Sequence, residues 1–286
     1  MNEMMTGATP NRQGQKGFRS ARRFRRRSFP WCSAPLLALF CSVAGCAGPE
    51  QRSDVLVAAA SSLKDVVSEL GERFERRTGA RVDFNFAGSN ILAQQIAVAD
   101  AVDVFLSADR RWFDFLKTEG RIIDRGDAVF LSNRLVVISH ADSQLTLTEP
   151  AGLAAADFQH LVLANPAAVP AGRYAKAWLE QVAVGAGSLW DVLAPKVAPA
   201  LDVRAALALV ASDPAMVGVV YASDQLVSDR TRVIFEPAPS EQPAIEYCAA
   251  LISRSQPSSV AVDFYTFLMG EEARAAFREH GFEVPE

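Results

Sequence analysis

The sequence has little of what several classes of protein require. It contains four cysteines in 286 residues, and three of them lie within the first 46, so the rest of the chain is not a disulfide scaffold. It has three histidines, without an H-E-x-x-H motif or another spacing typical of a metal site. It also lacks a Walker A sequence and a glycine-rich dinucleotide motif. We therefore expect no cofactor, and the energy for any transport has to come from another subunit.

Positive charge is scarce after the first 30 residues. Those 30 residues hold eight of the 29 Lys and Arg residues, and residues 47–286 carry a net charge of about −11. This balance argues against nucleic acid as a partner. The overall composition, with 50% hydrophobic and 22% charged residues, is typical of a globular protein. The length suits one large domain or two smaller ones.

Residues 1–46 have the pattern of an export signal. A basic run ending at Arg27 precedes an uncharged apolar stretch that closes on Val43-Ala44-Gly45-Cys46. These four residues resemble a bacterial lipobox, which implies a lipid-anchored protein that begins at Cys46 and lies outside the cytoplasm. Ordinary cleavage nearby and an uncleaved membrane anchor are the alternatives. Arg26-Arg27-Ser28-Phe29 also resembles part of a twin-arginine signal, so both export routes stay open.

Two series of strand–helix units follow. The predicted strands, including two isolated apolar runs at 135–139 and 247–253, are 54–60, 82–86, 102–107, 135–139, 161–164, 217–221 and 247–253. The predicted helices are 63–77, 90–99, 111–117, 174–182, 203–211, 261–269 and 271–280. Two local signals mark helix starts: Ser62 and Asp65 have the spacing of a capping box, and Asp202 precedes the fifth helix as an N-cap. Gly79 is predicted to end the first helix.

Consecutive strand–helix units predict mostly parallel sheets flanked by helices, which is an α/β fold. Two such series predict two lobes joined by crossing strands. Lobe 1 is predicted to comprise residues 54–133 and 247–286, and lobe 2 residues 134–246, with boundaries within about ten residues. Because open α/β sheets bind ligands at the carboxyl ends of their strands, the cleft between the lobes is the expected site.

Small residues and serines stand where predicted strands end and helices begin. They are the pairs Ser61-Ser62, Gly88-Ser89, Ala171-Gly172 and Asp202-Val203. A helix N-terminus offers unpaired backbone N–H groups, and its dipole favours an anion by about 0.3–1 kcal/mol. A single serine there is usually only a helix cap. Four such starts facing one cleft predict an oxyanion site built from uncharged donors.

Six segments, in the same order, resemble the molybdate-binding proteins of ABC transporters. They are Val57–Asp65 (VAAASSLKD), Phe86–Ile96 (FAGSNILAQQI), Ala101–Asp109 (AVDVFLSAD), Val169–Lys176 (VPAGRYAK), Pro199–Arg204 (PALDVR) and Gly218–Asp224 (GVVYASD). The resemblance runs from about residue 54 to the end of the chain. It implies a two-lobed periplasmic-binding-protein fold of type II in a monomer that is not an enzyme. Such a protein captures molybdate or tungstate between its lobes and delivers it to the permease subunits of an importer.

The resemblance also implies the ligand contacts. Carried over motif by motif, the residues that hold the anion through its oxygens, and not through the metal atom, are Ser62, Ser89, Ala171, Val203 and Tyr221. The serines would offer hydroxyl and N–H groups, Ala171 and Val203 their backbone N–H, and Tyr221 its hydroxyl. Ser61 is a further candidate, although it stands where the family more often has alanine; Ser62 is preferred because Ser-Leu follows the family pattern. Gly88 stands where the family usually has serine.

Two alternative functions remain open: binding of another anion on the same fold, and catalysis by a serine. A donor-only site suits a fully ionised oxyanion better than hydrogen phosphate, whose proton would lack an acceptor, but it does not by itself separate molybdate from sulfate or an organic anion. The remote alternative is a secreted serine acyl-enzyme, because Ser61-Ser62-Leu63-Lys64 matches the S-x-x-K motif. The S-D-N and K-T-G partners of that motif do not occur in the sequence.

Overall fold

The computed structural model describes residues 54–123, 125, 129–253 and 258–285. The predicted export signal and Cys46 lie outside the described residues. Within the described part, no helix is both long enough and apolar enough to cross a membrane.

The described strands and helices alternate through most of the chain. The strands are β1 (Val55–Ala60), β2 (Val82–Ala87), β3 (Val104–Ser107), β4 (Ile122–Ile123), β5 (Val129–Asn133), β6 (Leu135–His140), β7 (His160–Ala164), β8 (Ala183–Val184), β9 (Gly187–Ser188), β10 (Val197–Ala200), β11 (Met216–Tyr221), β12 (Thr231–Phe235) and β13 (Ile245–Ile252). The helices are α1 (Lys64–Thr78), α2 (Ser89–Val98), α3 (Arg110–Thr118), α4 (Pro170–Gln181), α5 (Leu189–Leu193), α6 (Val203–Ser212), α7 (Ala222–Gln225), α8 (Ser259–Leu268) and α9 (Glu271–Glu279).

The first sheet has the strand order β2-β1-β3-β13-β4, with β5 also paired to β13. Strand β1 pairs in parallel with β2 and β3, whereas β13 is antiparallel to β3, β4 and β5. All strands of this sheet except β13 therefore run in one direction. We refer to this sheet and the helices packed on it as lobe 1.

The second sheet has the order β10-β7-β11-β6-β12, and we refer to it and its helices as lobe 2. Strands β10, β7 and β11 are parallel neighbours, whereas β6 is antiparallel to β11 and β12. Again a single strand runs against the others. The prediction of two mostly parallel sheets flanked by helices is confirmed.

The chain passes between the two sheets twice. It leaves the first sheet at the end of β5 and enters the second at β6, with only Arg134 between the two strands. It returns between β12 and β13. In each sheet, the strand reached by such a crossing is the one that runs against the others. The isolated apolar runs of the sequence are these two strands, β6 and β13.

The C-terminal helices pack on lobe 1, where they cover α1. The ring of Phe74 on α1 meets the ring of Phe264 on α8 edge to face, with centroids 5.1 Å apart. At the other end of the contact, Arg77 of α1 forms an ion pair with Glu272 of α9 at 3.2 Å. The aromatic pair lies in the continuous apolar core, whereas the ion pair is exposed. Burial of apolar surface is therefore the main force that holds these helices in place.

Three helix boundaries show which local sequence signals were sufficient to predict where a helix begins or ends. Asp202 caps α6 as predicted, since its side chain accepts a hydrogen bond from Ala205 N–H at 2.9 Å. Gly79 ends α1 in the left-handed conformation, with φ 75°. Helix α4 begins at Pro170, earlier than predicted, because proline suits the first helical position, where no N–H is needed.

The predicted capping box at Ser62 is wrong. A single 3-10 turn, Ser61–Leu63, stands between β1 and α1, so the helix begins at Lys64. The hydroxyl of Ser62 is instead hydrogen-bonded to the hydroxyl of Tyr247, at 2.9 Å. A partner 185 residues away has thus displaced the local interaction that the spacing suggests.

Candidate functional site

A small cavity lies where the two lobes meet. Its lining comes from strand ends and helix starts of both sheets: Ala60, Ser61, Ser62, Ala87, Gly88, Ser89, Ala108, Val169, Pro170, Ala171, Val203 and Tyr221. All five residues that the sequence analysis placed in the site line this cavity, and so does Ser61. None of the described residues lining it carries a charge.

Lobe 1 contributes serines at the ends of two neighbouring strands. Ser62 follows β1 and is 2% exposed, and Ser89 is the first residue of α2 and is 1% exposed. The hydroxyl oxygen of Ser89 accepts a hydrogen bond from the backbone N–H of Ala108, at 3.0 Å. That contact fixes the side chain and leaves its own O–H free to donate.

Lobe 2 contributes two helix N-termini. Ala171 follows Pro170 in the first turn of α4, and Val203 is the first residue of α6. The N–H groups of a first helical turn have no acceptor within the helix, so both backbones can donate into the cavity. Because proline has no N–H, the donor of Ala171 is the first that α4 can offer.

The start of α4 lies very close to the end of β7. A Cβ atom added at Gly172 would lie 1.8 Å from the carbonyl oxygen of Ala164 and 2.6 Å from its carbonyl carbon. Only glycine fits at this approach, since both atoms belong to the backbone and cannot rotate away. The contact fixes where the neighbouring N–H of Ala171 points.

Tyr221 supplies a hydroxyl at the end of β11. The side chain is 1% exposed, and its hydroxyl has no hydrogen-bond partner among the described residues. Burial raises the pKa of Tyr221 well above its ordinary value, so the group stays a neutral O–H donor. A buried hydroxyl left without a partner costs about 1–3 kcal/mol. This orphan donor is what a ligand in the cavity would satisfy.

Polar contacts hold the lobes together around the cavity. Asp109 of lobe 1 forms an ion pair with Arg173 of lobe 2, close to the start of α4. On the same side, the indole N–H of Trp112 donates to the carbonyl oxygen of Ala168 at 3.2 Å. The arrangement is that of a closed cleft.

A second inter-lobe contact centres on Arg204, the residue after Val203. Its guanidinium donates to the carbonyl oxygen of Ser62 at 3.2 Å and lies 2.6 Å from a carboxylate oxygen of Asp65, both in lobe 1. Its Nε lies 2.6 Å from Asp224, which is fully buried. Arg204 is not among the residues that line the cavity, and its guanidinium is paired with these two carboxyl groups.

Asp224 makes stability depend on pH. Burial raises its pKa to about 7, although Arg204 opposes the shift. The ordinary value is 3.8, so between about pH 4 and pH 7 the folded protein holds a proton that the unfolded chain has lost. We expect the free energy of unfolding, measured in urea, to fall as the pH rises through this interval.

The matched control is Asp224→Asn, which keeps the shape of the side chain. We expect a shallower dependence on pH, with a remainder of the same sign, since burial also raises the pKa of Asp109. An unchanged slope in Asp224→Asn would show that this carboxyl is not its source.

Comparison with known proteins assigns the family. The sequence pattern of the bacterial extracellular solute-binding proteins matches residues 55–283, which is most of the chain and all of the site. The chain belongs to this family. Membership agrees with the two-lobed type II fold and indicates a protein that lies outside the cytoplasm.

Relatives and a solved structure support the same assignment. The molybdate-binding protein ModA of Escherichia coli strain K12 is 33% identical over 251 residues, which cover 86% of this chain and 95% of that protein. ModA of Haemophilus influenzae is 30% identical, over 80% of this chain and 90% of its own length. The structure of the periplasmic molybdate-binding protein of Azotobacter vinelandii matches with a TM-score of 0.71 at 22% identity, covering 81% of this chain and 100% of that chain.

Proposed function

We propose that this solute-binding protein captures molybdate and delivers it to the permease subunits of an ABC importer. The observation that carries the proposal is the cavity itself, in which uncharged donors from both lobes meet the buried hydroxyl of Tyr221, which has no other partner. The names of the two curated relatives and of the Azotobacter structure support the choice of molybdate.

Each candidate residue has a donor role in this proposal. Ser62 and Ser89 donate their hydroxyls and N–H groups, Ala171 and Val203 their N–H groups, and Tyr221 its hydroxyl, all to oxygens of the anion. A hydrogen bond to a charged group contributes about 1.5–3 kcal/mol, so five or more of them can bind a dianion without a cationic side chain. The helix N-termini of α2, α4 and α6 add their positive dipole ends.

Selectivity follows from the donor set and from size. The lining contains no carboxylate that would accept a proton, which disfavours protonated oxyanions such as hydrogen phosphate. Tungstate shares the shape and charge of molybdate and is proposed as a second ligand. Sulfate, which is smaller, remains the alternative on the same fold.

The proposal includes movement of the lobes. Lobe 1 is taken as residues 54–133 and 247–286 and lobe 2 as residues 134–246, turning about the two crossings. An anion that contacts both lobes favours the closed state by its differential affinity for it. The closed monomer is the form that the permease would recognise. A lipid on Cys46 would keep the protein at the membrane.

We propose a binding role and no catalytic one. In an S-x-x-K acyl-enzyme the lysine works beside the serine. Here Ser61 is buried in the cavity lining, whereas the side chain of Lys64 is exposed at the start of α1. An acylating β-lactam or fluorophosphonate probe is expected to leave the protein unmodified.

Calorimetric titration tests the proposed ligand directly. Molybdate, tungstate and sulfate are titrated in parallel into the protein, and thermal unfolding is followed with each anion. We expect molybdate and tungstate to bind with one site per chain and to raise the unfolding temperature. No heat and no stabilisation at millimolar molybdate would refute the proposal. Tighter binding of sulfate would support the alternative.

A further inference from the structure

Behind Ser62, a chain of hydrogen bonds leads away from the cavity. The hydroxyl of Ser62 lies 2.9 Å from that of Tyr247, and the side-chain amide nitrogen of Asn133 lies 3.4 Å from the same tyrosine oxygen. The amide nitrogen also donates to Ser223, at 2.8 Å. All four side chains are buried. Asn133 ends β5 and Tyr247 belongs to β13, so the chain lies beside the first crossing between the lobes.

One backbone group sets the direction of these hydrogen bonds. The side-chain oxygen of Asn133 accepts from the backbone N–H of Arg134, at 2.9 Å. Since an N–H can meet only the oxygen of the amide, the nitrogen of Asn133 has to face Ser223 and Tyr247. The oxygen of Tyr247 therefore accepts from Asn133. Among the described residues, the hydroxyl oxygen of Ser62 is the acceptor within reach of the O–H of this buried tyrosine, so we assign the O–H as the donor to Ser62.

Ser62 then does not use its own proton on Tyr247. One lone pair of its oxygen is occupied by the tyrosine O–H, and its proton stays available to a ligand in the cavity. The hydroxyl of Ser89 is oriented in the same way, because its oxygen accepts a hydrogen bond from the backbone N–H of Ala108. Both serines are thus held as donors by partners behind them.

We propose that Asn133 and Tyr247 are positioning residues that keep Ser62 a hydrogen-bond donor and so bias the site against oxyanions that carry a proton. The inference rests on the proposed function, since it concerns the same cavity. Neither side chain is among the residues that line the cavity. They act through Ser62.

The substitution Asn133→Asp reverses the direction of the hydrogen bonds from Asn133 to Ser62. The introduced carboxylate accepts from Arg134, Ser223 and Tyr247, and three such donors favour its ionised form. The oxygen of Tyr247 then has to accept from Ser62, whose lone pairs turn towards the anion. We expect affinity for molybdate to fall, and affinity for hydrogen phosphate to fall less or to rise.

The readout is the ratio of the dissociation constants of hydrogen phosphate and molybdate. It is measured by calorimetric competition at pH 8 and pH 9, where both anions are divalent, so a charge added to the protein affects them alike. We expect Asn133→Asp to lower the ratio about tenfold, the effect of one mismatched polar contact. Asn165→Asp is the matched control, because the side-chain oxygen of Asn165 also accepts from a backbone N–H, that of Ala167 at 3.0 Å, but Asn165 neither lines the cavity nor belongs to this series of hydrogen bonds. We expect this control to weaken the binding of both anions equally and to leave the ratio of their dissociation constants unchanged.

Tyr247→Phe removes the hydrogen bond between Tyr247 and Ser62 without adding a charge. It frees a lone pair on Ser62 and is expected to lower the ratio several-fold, and Asn133→Asp added to it should change the ratio no further. An unchanged ratio in both Asn133→Asp and Tyr247→Phe would overturn the inference, as would equal effects of Asn133→Asp with and without Tyr247. If the unaltered protein binds no molybdate, the proposed function itself has failed. Thermal unfolding of each variant confirms that it is folded.

Discussion

Gly172→Ala is expected to lower the affinity for molybdate more than a hundredfold. The added methyl group would lie 1.8 Å from the carbonyl oxygen of Ala164, and the next nearest atoms are also backbone. The start of α4 has to move away from β7 to relieve this overlap, and the N–H of Ala171 moves with it. Overpacking against rigid atoms costs about 1–3 kcal/mol or more, so the unfolding temperature should also fall.

Gly152→Ala is the control for this substitution. Its nearest neighbour would be a side-chain carbon of Leu147, at 3.3 Å, and Gly152 is not among the cavity residues. We expect its affinity for molybdate to stay within twofold of the unaltered protein. Normal binding by a folded Gly172→Ala protein would show that the close approach does not position the donor.

Tyr221→Phe is expected to weaken molybdate binding ten- to a hundredfold without destabilising the free protein. In the complex the change removes one hydrogen bond to a charged ligand, worth about 1.5–3 kcal/mol. In the free protein it removes a buried hydroxyl that has no partner among the described residues, so stability should stay equal or rise. Calorimetry measures the first effect and urea unfolding without anion measures the second.

Tyr265→Phe provides the comparison, since this tyrosine lies on α8 and not at the cavity. It should leave the affinity unchanged. If Tyr221→Phe has no effect on affinity either, Tyr221 does not belong to the site. If it destabilises the free protein strongly, its hydroxyl has a structural role instead.

Features encoded by neighbouring residues were predictable from the sequence. The start of α6 follows from Asp202, whose cap bond spans three residues, and the end of α1 follows from Gly79. Strands β1 and β3 are buried, mainly apolar runs, because helices cover a parallel sheet on both faces, whereas the edge strand β2 alternates between apolar and polar residues. The cavity lining was also predictable, since each donor stands at a junction between a strand and a helix.

Features that depend on distant residues were not predictable in this way. Strands β5 and β12 are short and mixed in polarity, and β10 has only four residues, one of them Pro199. Pairing with strands from elsewhere in the chain decides their conformation. The local spacing assigned Ser62 to a capping box, because its actual partner, Tyr247, is 185 residues away and gives no local signal. Asn133 carries no local signal at all, since its role depends on a hydroxyl 114 residues away.

The two crossings between the sheets restrict how the molecule can open. A single covalent connection would leave one half free to twist and slide over the other. Two connections, at Arg134 and between β12 and β13, hold the halves at two points and leave rotation about the line through them as the easy motion. Anions of different radius should therefore be accommodated by small differences in the angle of that rotation, while the geometry within each half stays fixed.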